Sequence, residues 1–167
     1  MAKKAQKKTP KKTPKAKPVL CTIGYEQATP DALVGELKRA KVKLLVDVRA
    51  VAASRKPGFS KRQLAATLDE NGIGYLHLQK LGTPAEGRTA ARAGDMTAML
   101  KIYEKQLKTA GARDEMAELL SIVQSGTRAC LLCFERDVAH CHRQRIAEIV
   151  HERTGAKVDN IAPALFS

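Results

Sequence analysis

The chain has 167 residues, of which 44% are hydrophobic and 4% aromatic, and its formal net charge at pH 7 is +13. This length and apolar content predict a globular protein with a real core, and the apolar runs are far too short to cross a bilayer, so no membrane partner is expected. The four cysteines do not resemble the disulfide framework of a small secreted protein, and the lysine-rich start does not resemble a signal peptide, so we expect a cytoplasmic protein.

The positive charge is concentrated at the start of the chain. Residues 1–18 contain eight lysines and no acidic residue, and after Met1 they contain no bulky aliphatic or aromatic residue. Such a segment cannot bury enough surface to offset the entropy lost on folding, so we predict a disordered arm over 1–18 and a single domain over 19–167. The arm is either a solubilising tail or a polyanion-binding arm, and its lysine density favours non-specific affinity for nucleic acid.

Strand and helix patterns alternate along the rest of the chain. The predicted strands are 19–23, 43–48, 73–78, 129–134 and, at an edge, 157–161. The predicted helices start at Thr29 and at Ser60, cover 95–109 and 113–124, and run from the Cys141 turn to residue 153. Residues 79–95 are predicted to form a long polar loop, of a kind that is usually functional or mobile. This order predicts an α/β fold, Rossmann-like and three-layered, with a mainly parallel sheet of about five strands, because parallel neighbours need crossover connections.

Polar side chains stand at or near the ends of four predicted strands. In chain order they are Tyr25, Asp47, His77 and Glu135. The carboxyl ends of parallel strands meet at one edge of the sheet, where open α/β sheets bind ligands, so we predict a cleft at this edge. Two roles stay open for Glu135: it is a general base, or it is the partner of an arginine in a buried ion pair.

The segment after the second strand, residues 49–61, is basic and contains glycine and proline. Its cations, together with one from the later helix start, are the predicted anion-binding residues: Arg49, Arg55, Lys56, Lys61 and Arg143. Guanidinium groups and the unpaired N–H groups of a helix N-terminus bind phosphates and carboxylates. A solvated charged loop is the alternative, and the convergence of several elements on one edge favours the anion site.

The turn at Cys141, His142 and Arg143 precedes a predicted helix. A helix N-terminus stabilises a thiolate, so Cys141 is a candidate nucleophile, with His140 or His142 as its base. A structural thiol packed beneath the helix is the commoner arrangement and stays open.

The sequence indicates neither a metal site nor a cofactor. Cys130 and Cys133 have a suggestive spacing, but residues three apart on a strand point to opposite faces. Cys141, His142 and His77 could share an ion only through tertiary proximity, and their spacing matches no zinc motif.

These motifs resemble the family filed as domain of unknown function 488. The matching signatures, in the family's order, are TIGYE (22–26), VDVR (46–49), SRKPGFSK (54–61), a Leu-Gly pair (81–82), LLCFE (131–135) and CHR (141–143). The chain departs from the family at residues 51–53, where a proline is common, and at Thr83, where a second glycine is common. The resemblance implies an α/β domain and no established activity. The chain is also loosely similar to rhodanese-like sulfurtransferases, but it lacks the cradle loop that follows the cysteine in those proteins.

These features together predict recognition of a phosphate-bearing partner, nucleic acid or a nucleotide, in an anion-binding cleft, with the arm adding non-specific affinity for nucleic acid. The alternative is a small-molecule enzyme, sulfurtransferase- or hydrolase-like, in which Cys141 is the nucleophile and Glu135 and His142 assist. The sequence does not set the oligomeric state.

Overall fold

The computed structural model describes residues 16–165 and contains a five-stranded sheet in which neighbouring strands pair in parallel. The strands are β1 (Val19–Gly24), β2 (Leu44–Asp47), β3 (Gly74–His77), β4 (Ala129–Cys133) and β5 (Lys157–Asn160). Their order across the sheet is β3-β2-β4-β1-β5. The prediction of an α/β fold with a parallel sheet of about five strands is confirmed. The predicted arm, residues 1–18, lies outside the described residues as far as residue 15.

Six α-helices connect these strands within residues 16–165. They are α1 (Pro30–Arg39), α2 (Lys61–Glu70), α3 (Ala85–Arg92), α4 (Met96–Leu107), α5 (Ala110–Gln124) and α6 (Arg143–Thr154). Two 3₁₀ turns, Gln79–Leu81 and Val138–His140, lie close to the ends of β3 and β4. Local caps set the helix ends: the Thr29 hydroxyl accepts the Ala32 N–H at 3.1 Å, and α6 stops at Gly155, whose φ of +71° suits glycine.

The helices cover both faces of the sheet. α1 and α2 bury Leu33 and Leu64 against one face, and α5 and α6 bury Leu119 and Ile146 against the other. Every residue of β4 is buried, as expected for the central strand of a parallel sheet covered on both sides. The three-layer arrangement is therefore as predicted.

Residues 79–95 do not form the long loop that their composition predicts, because they contain α3. The sequence does not predict this helix because Gly87 is its only buried residue. It therefore lacks the large apolar residues at helical spacing that mark the buried face of a helix. Gly87 allows α3 to lie close to its surroundings: a Cβ at this position would be 2.6 Å from Thr83 Cγ2 and 3.4 Å from Ile102 Cγ2. The close approach brings α3 beside the carboxyl edge of the sheet.

Candidate functional site

The carboxyl ends of three neighbouring strands, β2, β4 and β1, bring their terminal residues together. β4 lies between the other two, and its register pairs Cys133 with Gly24 and Leu132 with Asp47. Glycine is required where β1 passes the chain that leaves β4, since a Cβ on Gly24 would lie 1.8 Å from the Glu135 carbonyl oxygen. The side chains that follow these strands therefore share one small region.

Asp47 ends β2 as a fully buried carboxylate that is paired with Arg49. Two hydrogen bonds join the side chains, from Arg49 Nε to Oδ1 at 2.9 Å and from Nη2 to Oδ2 at 2.7 Å, and the Arg49 backbone N–H donates to Oδ1 at 3.1 Å. Arg49 Nη1 also donates to the Tyr25 hydroxyl and to the Phe59 carbonyl oxygen. The Tyr75 hydroxyl donates to Asp47 at 2.5 Å, and burial together with this bond raises the pKa of Tyr75. The guanidinium of Arg49 is thus occupied by protein groups.

His77 lies at the end of β3, next to Asp47 in the register of the sheet. Its Nε2 is 2.7 Å from the carbonyl oxygen of Arg49. Donation from this nitrogen would fix the backbone at the start of the basic segment.

The other cations of the basic segment lie on the surface of the domain. Arg55 and Lys61 are exposed, and Lys56 is half-buried. The ammonium of Lys56 lies 3.4 Å from the Tyr25 carbonyl oxygen and 5.7 Å from the centre of the Phe59 ring. These side chains do not converge with Arg143 on one point, so the segment presents a basic surface.

Arg143 is the first residue of α6, and only 1% of its surface is exposed. Its Nε donates to the Thr22 hydroxyl at 3.3 Å, Nη2 donates to the Arg136 carbonyl oxygen at 3.1 Å, and Nη1 donates to the Glu135 carbonyl oxygen. The side chain thus ties the start of α6 to β1 and to the turn that leaves β4.

Two thiols and an imidazole meet between the end of β4 and the start of α6. Nδ1 of His142 lies 3.7 Å from Cys133 Sγ and 3.8 Å from Cys141 Sγ, and the three donor atoms lie within 4.8 Å of one another. Nε2 of His142 is 2.8 Å from the Val48 carbonyl oxygen, so this nitrogen carries a proton and Nδ1 faces the sulfurs. All three side chains are buried. They are named the thiol–imidazole cluster here.

The cluster shifts the pKa values of its two thiols in opposite directions. Burial alone would raise the pKa of Cys141, but donation from the Cys133 thiol and the positive charge of His142 hold that pKa well below its ordinary value. The pKa of Cys133 is raised by its hydrogen bond with Cys141 and by burial. Glu135 Oε2 lies 3.4 Å from Cys133 Sγ, and burial followed by the charge of Cys141 raises the pKa of this carboxyl. The arrangement favours a single thiolate, on Cys141.

A cavity of about 630 Å³ opens above the cluster. Its apolar and aromatic lining comes from Tyr25, Val51, Met96, Met99 and Phe134. α3 contributes Arg88 and Arg92, which lie four residues apart and so on one side of the helix. Arg88 Nη1 donates to the Thr83 carbonyl oxygen at 2.8 Å, which fixes the position of its guanidinium. Apolar side chains, three arginines and the thiol–imidazole cluster thus line one space.

The sequence-based site residues divide into two groups. Those that line the cavity are Tyr25, Arg49, Glu135, Cys141 and His142. Those outside its lining are Asp47, Arg55, Lys56, Lys61, His77 and Arg143. Sequence reasoning did not assign Cys133, Arg88 or Arg92 to the site. Cys133 is the last residue of a strand whose end was already singled out, and the spacing of the two arginines would have been visible had α3 been recognised.

Comparison with known proteins gives one match. Residues 29–150 match the family described as domain of unknown function DUF488, and this stretch runs from the N-cap of α1 into α6 and includes the thiol–imidazole cluster. No curated protein and no solved structure matches the chain. Within residues 16–165, none of the helices has the length and apolarity that crossing a membrane requires. Since the matched stretch is well over half of the chain, the protein belongs to the family of the domain of unknown function DUF488.

Proposed function

We propose that the cavity at the carboxyl edge of the sheet binds a small phosphate-bearing molecule of about the size of a nucleotide. The observation that carries this proposal is the pair of arginines on α3, Arg88 and Arg92, at the wall of a cavity of about 630 Å³. Pockets for small ligands usually measure about 300–1,000 Å³. Guanidinium groups on one side of a helix suit the oxygens of a phosphate, which accept paired hydrogen bonds.

The apolar part of the cavity lining suits a flat apolar group. Phe134 is 45% exposed and Val51 is 55% exposed, and both line the cavity. The Phe134 ring meets the Tyr25 ring edge-on, with 5.4 Å between their centres, which fixes its orientation. A nucleobase stacked on Phe134 would place its phosphate toward α3. The volume of the cavity favours a nucleotide or the end of a single strand over a duplex, whose contacts would fall to the arm and to the basic surface around Arg55.

Calorimetric titration of the full chain with nucleoside phosphates and with inorganic phosphate tests this proposal. We expect Arg88→Ala/Arg92→Ala to bind nucleotide at least about tenfold more weakly, which corresponds to about 1.4 kcal/mol. Phe134→Ala is expected to weaken nucleotide binding and to leave inorganic phosphate unaffected.

The matched control removes the same charge elsewhere. Arg113 and Arg153 are exposed on α5 and α6 and do not line the cavity. Arg113→Ala/Arg153→Ala is expected to bind like the wild type. Equal losses in both double variants would reduce the effect to net charge and would contradict a phosphate site on α3.

A second candidate function follows from the contact between Cys141 and His142 in the cavity wall. The sulfur lies 3.8 Å from Nδ1, and the Val48 carbonyl oxygen holds the ring from its other side. This is the arrangement of a nucleophile beside an oriented base. The thiol proton of Cys141 would pass to Nδ1 of His142, and the thiolate would form a bond to an electrophilic sulfur or acyl carbon of a bound substrate while the bond from that atom to its leaving group breaks. The proton on His142 would then pass to the leaving group. Brief iodoacetamide treatment with peptide mapping tests it. Cys141 is expected to react before Cys21 and Cys130, which are 0% exposed, and equal labelling would contradict a nucleophilic role.

A further inference from the structure

We propose that Cys133, Cys141 and His142 form a site for a thiophilic divalent metal ion, of which Zn²⁺ is the best match. Thiolate sulfur and imidazole nitrogen are the ligands that zinc prefers in proteins. The site does not depend on the phosphate-bearing ligand, because it stands on the geometry of the cavity floor alone.

The separations between the donor atoms fit tetrahedral coordination. Bond lengths of about 2.3 Å to sulfur and about 2.0 Å to nitrogen place a sulfur and a nitrogen ligand about 3.6 Å apart. Nδ1 of His142 lies 3.7 Å from one sulfur and 3.8 Å from the other, and no pair among the three atoms exceeds 4.8 Å. An ion can therefore reach all three atoms with little movement of the side chains.

The orientation of His142 also supports a metal site. A ring nitrogen can make one hydrogen bond in the plane of the ring, yet two thiols converge on Nδ1. A cation placed between the three atoms would satisfy both sulfurs and the nitrogen together. The contact at 2.8 Å between Nε2 and the Val48 carbonyl oxygen is the outer contact that metal-bound histidines usually make.

The backbone holds the ligands before any ion arrives. Cys133 ends a central strand, His142 is the N-cap of α6, and the Tyr103 ring packs edge-on against the imidazole with 5.3 Å between centres. Cys133, Cys141 and His142 are each 5–6% exposed, so a small part of each reaches the cavity. Little conformational entropy is lost on binding, which favours high affinity.

The fourth position of the metal would face the cavity. Three protein ligands with an open position are typical of catalytic zinc sites, whereas structural sites are closed by four. Glu135 lies beside the open side, with Oε2 3.4 Å from Cys133 Sγ. It could complete the coordination or accept a proton from a metal-bound water.

Binding is a ligand exchange without oxidation or reduction. In the metal-free cluster, two protons are distributed over two sulfurs and Nδ1. Zn²⁺ forms two bonds to sulfur and one to nitrogen, and both protons pass to the solvent. Coordination draws negative charge from the Cys141 sulfur, so a bound metal ion is expected to slow the reaction of this thiolate with an electrophile.

The test is titration of the metal-free full chain with Co²⁺ and Zn²⁺. Co²⁺ is expected to bind at one ion per chain, with a thiolate charge-transfer band in the near ultraviolet, and Zn²⁺ is expected to displace it with a Kd below about 1 μM. Cys141→Ser and Cys133→Ser are each expected to weaken Zn²⁺ at least about 100-fold. Cys130→Ala and Cys21→Ala, in the same sheet but outside the cluster, are expected to bind as the wild type does.

If a serine variant fails to fold, a second measurement on the wild type still tests the metal site. Zn²⁺ is expected to protect Cys133 and Cys141 of the wild type from iodoacetamide, as peptide mapping would show, without changing Cys21. Absence of the thiolate band, or full binding by the Cys133→Ser/Cys141→Ser protein, would overturn the metal site. Neither result bears on nucleotide binding by metal-free protein, so failure here and failure of the phosphate site can be told apart.

Discussion

Arg143 is the largest side chain among residues 16–165 to be fully buried, and it has no carboxylate partner there. Its charge is balanced by dipoles: two backbone carbonyl oxygens and the Thr22 hydroxyl accept its three donations. A buried cation whose hydrogen-bond acceptors are all neutral is tolerated because each hydrogen bond to a charged group contributes more than one between neutral groups.

We therefore expect Arg143→Ala to destabilise the protein by at least about 3 kcal/mol, because a cavity forms and the accepting groups lose their donors. Arg145→Ala is the matched control, two residues further along the same helix. Arg145 is 30% exposed and pairs with Glu104 and Glu148 near the surface, so its removal is expected to cost less than about 1 kcal/mol. Urea unfolding of the three proteins measures both values, and similar midpoints for the two variants would contradict the structural role.

Arg49 and Arg55 offer a second comparison within one segment. Arg49→Ala leaves the fully buried Asp47 without its cation, at an expected cost of about 3–5 kcal/mol. Arg55 is exposed, so Arg55→Ala is expected to change stability by no more than about 0.5 kcal/mol. Thermal melts with and without phosphate, at matched ionic strength, measure both changes. A phosphate stabilisation that is present in the wild type and lost in Arg55→Ala would assign an anion site to the basic surface as well.

The sequence identifies the chemical groups of the site better than their partners. Cys141, His142 and Glu135 follow from a turn before a helix and the end of a strand, which are local features. Arg49 pairs with Asp47, two residues before it, but Tyr25 and Phe59 also hold its guanidinium. Thr22 likewise accepts a hydrogen bond from Arg143. No local pattern encodes these tertiary contacts. Cys133 joins the cluster for the same reason, through the packing of α6 beside β4.

At the scale of elements, Gly24 fixes how closely β1 can pass the end of β4. A Cβ at this position would lie 1.8 Å from the Glu135 carbonyl oxygen, which is also an acceptor of Arg143. Because the obstacle is backbone, Gly24→Ala must displace the turn that leaves β4, and we expect a loss of stability of about 1–3 kcal/mol.

Gly35→Ala is the control for this substitution. Gly35 lies exposed in α1 with nothing within 4 Å of its Cβ position, so alanine there is expected to stabilise the protein by up to about 1 kcal/mol. Denaturant unfolding is expected to show a lower free energy of unfolding for Gly24→Ala and a higher one for Gly35→Ala than for the wild type. A neutral Gly24→Ala would show that the turn can move freely, and with it the backbone that Arg143 holds.

The strands were predictable because buried parallel strands are short apolar runs between polar turns, and all five predicted runs overlap the observed ones. Helices α1 and α2 were predictable from their cap residues and apolar periods. α3 was not, because its contacts with the domain are made by a glycine and by small side chains, Ala90 and Ala91, which give no strong apolar pattern. The same helix supplies Arg88 and Arg92 of the cavity, so these two site residues could not be predicted without it.

At the scale of the whole molecule, the lysine-rich start remains a prediction of the sequence. We expect removal of residues 1–15 to weaken non-specific binding to DNA or RNA and to leave the unfolding midpoint unchanged. Each lost phosphate contact is expected to reduce the slope of log affinity against log salt by about 0.9 for duplex DNA. The cut stays before Pro18, because the carbonyl oxygen of that residue accepts the Lys157 N–H at 2.9 Å. If the slope measured by filter binding is unchanged after the deletion, the arm does not contribute to nucleic-acid affinity.

The strand order has a consequence for how the protein is made. β1 leaves the ribosome before the other four strands of this sheet, yet both of its neighbours, β4 and β5, lie more than 100 residues later in the sequence. β2 and β3 can pair early, whereas β1 keeps an apolar strand with two open edges throughout most of synthesis. Such edges recruit other chains. A nascent chain that ends within α5 is therefore expected to depend on chaperones, and release from them should coincide with the emergence of β4.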